Sequence, residues 1–359
     1  VYLLDEPSND IDIYTLRWLE DFILQTNEPV LFISHDETLI EKSANMIVHI
    51  EQLRKKSVPR HTIEKTDYKT YISTRLSSFE HQEQVARKEK ADYDKQQERF
   101  KQIYQRVAHE QNTISRQDPH GGRLLKKKMK AVKSLEKRFD RESENMTTLP
   151  ESEDAIMISF DDNTYIPNGK NVLSFSLDTL YVKDNKLSEN IKLEVKGPEH
   201  ICIIGKNGTG KTTLLKIIAD DMLSRTDINA AYMPQDYSEN IDMSKTPVEL
   251  LSKTGIKDEL TKIKTFLGSM KYTSEEFEHS ADDLSGGQKA KLLFIKMILD
   301  KCNVLLLDEP TRNFSPLSNP VIRKVLKDFK GTIISISHDR KYISEVCTAV
   351  YELTEDGLH

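Results

Sequence analysis

Gly205-Lys206-Asn207-Gly208-Thr209-Gly210-Lys211-Thr212 has the residue types and spacing of a loop that holds phosphate. It follows the apolar run Ile201-Cys202-Ile203-Ile204 and precedes a helix-forming segment, so the expected order is strand, loop, helix. The glycines let backbone N–H groups curl around phosphate oxygens without Cβ clashes. Gly205, Asn207, Gly208 and Gly210 supply that cradle, with Thr213 beside it. Lys211 reaches β and γ phosphates, Thr212 can ligate Mg²⁺, and the following helix directs its positive end at the charge.

Phosphoryl transfer to water needs one group on the metal, one on the nucleophile and one near the γ-phosphate. Leu305-Leu306-Leu307-Asp308-Glu309 reads as a buried strand ending in two carboxylates. Asp308 is expected to hold Mg²⁺ through water, and Glu309 to polarise the attacking water. His338, after the apolar run 333–336, is placed to contact the γ-phosphate. Gln235, 24 residues after Lys211, offers Mg²⁺ a carbonyl oxygen.

The same acidic and histidine motifs occur once more. Asp5-Glu6-Pro7-Ser8 runs to Ser34-His35-Asp36, and Asp308-Glu309-Pro310-Thr311 runs to Ser337-His338-Asp339. The Glu-to-His separation is 29 residues in both. Asp5 is thus a further metal candidate, and Glu6 and His35 further catalytic candidates. The earlier copy has no phosphate loop before it, and the chain opens inside its acidic strand. The expectation is one complete unit and the remainder of another, truncated at its N-terminus.

Leu284-Ser285-Gly286-Gly287-Gln288 precedes the apolar run 292–299 and reads as a second anion-binding helix start. A chain carrying both this element and a phosphate loop resembles the ATP-binding cassette superfamily, in which two cassettes face head to tail. The resemblance implies that the phosphate loop of one cassette and the Ser-Gly-Gly-Gln motif of the other, here Ser285-Gly286-Gly287-Gln288, enclose the same ATP, so that a pair of cassettes makes two composite sites. It implies an α/β P-loop NTPase fold, with ATP and Mg²⁺ as cofactors and ATPase activity. Neither composite site is complete here: Lys211, Asp308, Glu309 and His338 lack the other cassette's serine-glycine motif, and Glu6, His35 and Ser285 lack the other phosphate loop. The expected result is weak turnover by this chain alone.

The supporting elements are legible from periodicity. Apolar runs at 1–4 and 29–33 read as strands, 12–25 and 37–43 as helices, and 47–50 as a further strand. Pro59 is taken as a boundary. Asp67 is suited to cap a long helix from Tyr68. Phe100, Ile103, Val107 and Ile114, then Leu125, Met129, Val132, Leu135 and Phe139, suggest two antiparallel helices around one apolar seam. Asp118-Pro119-His120-Gly121-Gly122 reads as the turn between them. Between Arg123 and Arg141 there are nine Lys or Arg residues against two acidic ones. Such a one-sign cluster repels itself unless a polyanion neutralises it, and a phosphate backbone is the obvious one. Arg116, His120, Arg123, Lys126, Lys127, Lys128, Lys130 and Lys133 are the candidate contacts.

Of the 359 residues, 37% are hydrophobic and 31% charged, with a net charge of −6, a soluble composition with a charged surface. No run of 18 apolar residues is present to span a membrane. Cys202, Cys302 and Cys347 are far apart and form no metal pattern; they read as core thiols of a cytosolic protein.

Tandem cassettes joined by a basic helical hairpin, with no membrane span, resemble family F of the ATP-binding cassettes. The resemblance implies a cytoplasmic translation factor or ribosome-protection protein, acting as a monomer through pairing of its own cassettes. It implies that the arm, here 111–130, enters the ribosomal exit site and contacts rRNA and P-site tRNA near the peptidyl-transferase centre. The loop 311–318, with Ser315 where the first copy has Asp12, and the turn around Pro119 look like the antibiotic-resistance branch. The implied domains are 1–58, the end of a first cassette; 59–150, the hairpin linker; and 151–359, the second cassette. A transporter's ATP-binding subunit would leave the hairpin unexplained. A DNA-repair ATPase would need a much longer coiled coil or zinc modules. A non-functional fragment of a tandem cassette protein is the remaining alternative.

Overall fold

Val304-Leu305-Leu306-Leu307-Asp308 and Thr332-Ile333-Ile334-Ser335-Ile336 are buried at every position, as the middle strands of a parallel sheet covered on both faces must be. A computed structural model describes residues 1–9, 11–53, 58–113, 119–144, 147, 159–161, 164–239, 241–270, 272, 273 and 275–359. The chain divides into two compact units: 1–63 with 153–359, and 64–152. The first unit thus joins the segments read from sequence as two separate cassettes.

In chain order the first unit contains β1 (Tyr2–Asp5), α1 (Ile13–Gln25), β2 (Val30–Ile33), α2 (Glu37–Ser43), β3 (Ile47–Leu53) and β4 (Val58–Glu64). The second unit contributes α3 (Tyr68–Thr113) and α4 (Pro119–Glu144). The first unit resumes with β5 (Asn171–Val182), β6 (Asn185–Lys196), β7 (His200–Ile204), α5 (Lys211–Leu223) and β8 (Ala230–Met233). Next come α6 (Pro247–Leu251), α7 (Lys257–Ser269), α8 (Gly286–Leu299), β9 (Val304–Asp308) and α9 (Asn319–Lys327). It closes with β10 (Thr332–Ile336), α10 (Arg340–Val346), β11 (Ala349–Thr354) and β12 (Gly357–Leu358).

Six strands form one sheet in the order β12-β11-β7-β10-β9-β8, parallel except for the β11–β12 pair. Side chains alternate across β9: Leu305 and Leu307 enter a core with Phe294, Phe314 and Tyr342, whereas Val304 and Leu306 enter another with Leu214, Leu215 and Ile218. The antiparallel ribbon β5–β6 belongs to this second core through Leu180, Ile191 and Leu193. The sheet therefore clamps α5 on one face and α8 on the other, fixing the helix starts that follow the phosphate loop and Ser285.

β1 and β2 form a separate two-stranded parallel sheet, held to α1 and α2 by Leu16, Leu19, Ile23 and Leu39. One offset of 303 residues (309 less 6, 338 less 35) carries β1, β2, α1 and α2 onto β9, β10, α9 and α10. Glu6 N–H donates to Ile33 O and Glu309 N–H to Ile336 O, both at 2.9 Å. Glu6 and Glu309 also share a left-handed backbone, with φ of 44° and 52°, uncommon for a non-glycine residue and typical of functional turns.

Pro59 lies within β4, paired with β3, so it does not mark a boundary. A proline is tolerated in so small a sheet because each strand has an edge that donates to no neighbour.

In the second unit Asp67 Oδ1 accepts from Thr70 N–H at 3.0 Å, beside the start of α3. α3 and α4 run antiparallel, as pairs Glu110–Lys128 and Phe100–Phe139 show. Tyr93 and Phe100 pack edge-on against Phe139, and Ala86, Val107, Leu125 and Val132 are buried; both series, Ala86-Tyr93-Phe100-Val107 and Leu125-Val132-Phe139, keep seven-residue spacing. Ile103, expected in the seam, is 46% exposed because it falls off that heptad stripe. Gly121-Gly122 and His120 belong to the first turns of α4 rather than to a break, since Pro119 can open a helix, its fixed φ suiting the first position. Ile114, Arg116 and the apolar stretch from Ile156 lie outside the described residues or begin there, and the side chains of His120 and Leu135 are also outside that description.

Candidate nucleotide site

The phosphate loop leaves β7 at the centre of the sheet and enters α5 at Gly210, whose φ of 92° suits glycine. A Cβ there would lie 2.9 Å from Leu187 Cδ1. Lys211 Nζ donates to the carbonyls of Gly205 and Lys206, each at 2.9 Å, so the ammonium lies across the loop. Burial lowers the Lys211 pKa, opposed by the charges of Glu309, Asp12 and Asp308.

Around this loop is a cavity of about 470 Å³. Asn207, Gly208, Gly210, Lys211, Thr212 and Thr213 line one side, and Gln235, Asp308, Glu309 and His338 another. Gly205 is not on the lining; it turns the chain where a Cβ would lie 2.6 Å from Leu353 O.

Asp308 is 2% exposed, and its Oδ2 has no hydrogen-bond partner among the described residues. Burial raises its pKa, while the Thr212 side chain and the Lys211 charge lower it. An orphaned buried carboxylate oxygen beside a threonine hydroxyl fits a hard cation. Among the described residues no group of three or more His, Cys, Asp or Glu side chains forms a metal site. Mg²⁺ here would therefore share Thr212, Asp308 and Gln235 with phosphate oxygens.

Glu309 Oε2 accepts from His338 N–H at 3.3 Å and from Ser337 Oγ at 3.4 Å. His338 Nε2 stands 3.7 Å from Glu309 Oε1. Burial, then the Asp308 charge, pushes the Glu309 carboxyl up to about 8. Burial, then Lys211, pulls His338 down to about 4, so its ring is neutral near pH 7. A carboxyl poised in this range and a neutral imidazole are suited to managing the proton of a water nucleophile.

The earlier copy forms part of the same cavity. Ser8, Asn9, Ile11 and His35 are on its lining. Asp12 accepts from Thr15 N–H through Oδ1 at 2.9 Å and from Asn207 N–H through Oδ2 at 3.2 Å. His35, grouped from sequence with Glu6 and Ser285-Gly286-Gly287 for the other composite site, lies on the lining of this cavity. His35 Nε2 is 3.2 Å from Glu6 Oε1, and its N–H donates to Glu6 Oε2 at 3.1 Å. Asp5 and Glu6 are not on the lining. Sequence reading passed over Asn9, Ile11 and the reach of Asp12; the loop Ser8-Asn9-Asp10-Ile11-Asp12 was the available signal.

Ser285 caps α8 in a reciprocal box: Gln288 N–H donates to Ser285 Oγ at 3.4 Å, and Ser285 N–H to Gln288 Oε1 at 2.9 Å. Gln288 Nε2 also donates to Glu276 Oε1 at 2.7 Å, so this side chain orders the helix start rather than pointing at a ligand. Gly287 is required by close approach, since a Cβ would lie 2.6 Å from Asn313 O. Gly286 lines a second cavity with Thr212, Gln235, Lys289 and Arg312. Ser315, at the position of Asp12, bonds Ser318 N–H at 3.2 Å within its own loop.

On the hairpin, Arg123, Lys126, Lys127, Lys128, Lys130 and Lys133 are exposed. Lys128 Nζ lies 3.5 Å from Glu110. Among the described residues no helix is long and apolar enough to cross a membrane.

Residues 188–312 match the family profile described as ABC transporter. Along 99% of its length the chain is 27% identical to ABC transporter F family member 2 of Arabidopsis thaliana, covering 50% of that protein. It is 28% identical to ABC transporter F family member 5 of the same plant, again over 99% of this chain and 48% of the relative. The chain thus spans about half the length of these curated relatives. A solved structure described as ribosome-bound archaeal Pelota and ABCE1 shares the fold, with a TM-score of 0.57 and 17% identity over 100% of this chain and 52% of that one.

Proposed function

Because this chain belongs to family F of the ATP-binding cassette proteins, we propose that it is part of an ATP-gated ribosome-binding factor. In this reading, ATP closes the two copies on one another, the basic hairpin engages rRNA and P-site tRNA near the peptidyl-transferase centre, and hydrolysis drives release. The protein would work in the cytoplasm, as a housekeeping translation factor or in protecting ribosomes from antibiotics. The loop 311–318 supports the protective role.

The observation that carries the reading is the shared cavity: Lys211, Asp308, Glu309 and His338 face Asn9, Ile11 and His35 across one space. A ligand bound there touches both copies, so its occupancy can govern how firmly they pair. Lys211 and the loop amides hold the phosphates. Mg²⁺ on Thr212, Asp308 and Gln235 would neutralise charge on the β and γ phosphates. Glu309 takes the proton of the attacking water, and neutral His338 orients that water and the γ-phosphate. Asp12, bonded to a loop amide, links the phosphate loop to the first copy. The ribosome is favoured over a membrane partner because the exposed lysines of α4 suit a phosphate backbone.

The test is co-sedimentation of the full-length protein with ribosomes, with both glutamates replaced (Glu6→Gln, Glu309→Gln). Retention in ATP and loss in ADP is the expected outcome. Equal recovery in both nucleotides, or none in either, would overturn the reading.

A further inference from the structure

Two ionic clusters join the copies within the first unit. In one, Glu20 of α1 receives Arg340 of α10, with Arg340 Nη1 donating to Glu20 Oε2 at 3.1 Å, and Lys42 of α2 donates to the same oxygen at 2.8 Å. In the other, Arg323 of α9 donates to Glu37 of α2 at 2.6 and 3.3 Å, and its Nε donates to Glu345 at 2.8 Å. The offset of 303 carries Glu20 onto Arg323, Glu37 onto Arg340 and Lys42 onto Glu345. The two clusters are therefore one arrangement seen twice, with charge reversed at all three positions.

Burial follows the same symmetry. Glu20 and Arg323 are 5% and 4% exposed, and Lys42 and Glu345 are 49% and 46% exposed. Lys341 adds contacts to Glu37 at 3.0 Å and to Glu41. Burial alone would raise the Glu20 carboxyl, but Arg340 and Lys42 hold it below its ordinary value.

We propose that this charge reversal is a pairing code: it selects union of the first copy with the second and rejects union of two like copies from different chains. Two first copies in the same geometry would set Glu20 against Glu37, and two second copies would set Arg323 against Arg340. Like charges brought together with little solvent around them are strongly unfavourable, whereas the mixed pair sets each charge against an opposite one. Repetition of the elements does not tell the three pairings apart; the charges do. The inference rests on the internal repeat and needs no ribosome.

The test uses the full 359-residue chain in three forms. The first reverses one copy (Glu20→Arg, Glu37→Arg, Glu41→Lys, Lys42→Glu), the second reverses the other (Arg323→Glu, Arg340→Glu, Lys341→Glu, Glu345→Lys), and the third combines them. Hydrogen exchange is read at amides of α1 and α2, with β7, β9 and β10 as the reference. Either one-sided reversal should speed exchange in α1 and α2 by about tenfold or more, and the combined form should return to within about threefold of the original. If a one-sided form loses protection in the reference strands as well, recovery in the combined form still decides. Unchanged exchange in the one-sided forms, or no recovery in the combined one, would overturn the code.

Discussion

Asn207, in the phosphate loop, donates its backbone N–H to the carboxylate of Asp12, 195 residues away in the sequence, at 3.2 Å. Asp12 thus places a negative group where the loop receives phosphate. The same carboxylate caps α1, so the phosphate loop of one copy is tied to a helix start of the other.

Replacing Asp12 by Asn keeps a capping oxygen and removes the charge. Nucleotide affinity of the chain should rise several-fold, by about 1 kcal/mol, as a like charge near the phosphates is lost. Titration with a fluorescent ATP analogue measures it, and weaker binding would show that Asp12 does not oppose phosphate.

The Lys211 cavity is walled by Ser8, Asn9, Ile11 and His35, with no serine-glycine helix start on its lining. This chain alone should bind ATP yet hydrolyse it slowly. Glu309→Gln should lower whatever turnover remains by about a hundredfold or more, the range of a lost general base. Phosphate release under saturating ATP tests this; fast Glu309-dependent turnover by the isolated chain would contradict it.

Glu309 should make stability fall as pH rises. Its folded-state pKa, pushed to about 8 mainly by burial, lies above the ordinary value of 4.5. Between these values the folded chain binds the extra proton, so each step up in pH favours the unfolded state. Urea midpoints of Glu309→Gln should exceed those of the parent by an amount that grows from pH 5 to 8. Parallel curves would refute the shifted carboxyl.

His338 should have the opposite slope on the acid side. Its pKa is depressed to about 4 by burial and by Lys211, so the unfolded chain takes up a proton first as pH falls below 6.5. The stability this neutral ring provides is complete above 6.5 and is lost towards pH 4. His338→Gln should flatten the decline in thermal midpoint across that window, and an unaltered decline would assign it to other groups.

On the arm, changing Lys126, Lys127, Lys128 and Lys130 to Ala should weaken ribosome binding. The slope of log affinity against log salt should become shallower by about 3, near 0.7 per lost phosphate contact. Equal slopes in a sedimentation series would place the ribosome contact elsewhere.

The sequence alone determined the strand-loop-helix around Lys211, the acidic strand ending at Asp308 and Glu309, and the repeat linking Glu6–His35 to Glu309–His338. These depend on spacing within a few dozen residues, where backbone geometry and apolar period leave a local trace. Pro59 and Gly121-Gly122 misled because turn-prone residues are also tolerated at a small-sheet edge or in a helix's first turn. Only tertiary structure decided that His35 and the segment around Asp12 wall the cavity of Lys211, and that Glu20 and Glu37 meet Arg340 and Arg323. Those partners are about 300 residues apart in sequence. No local pattern distinguishes a buried, paired charge from one on a solvated helix face; packing alone decides which of them loses its water.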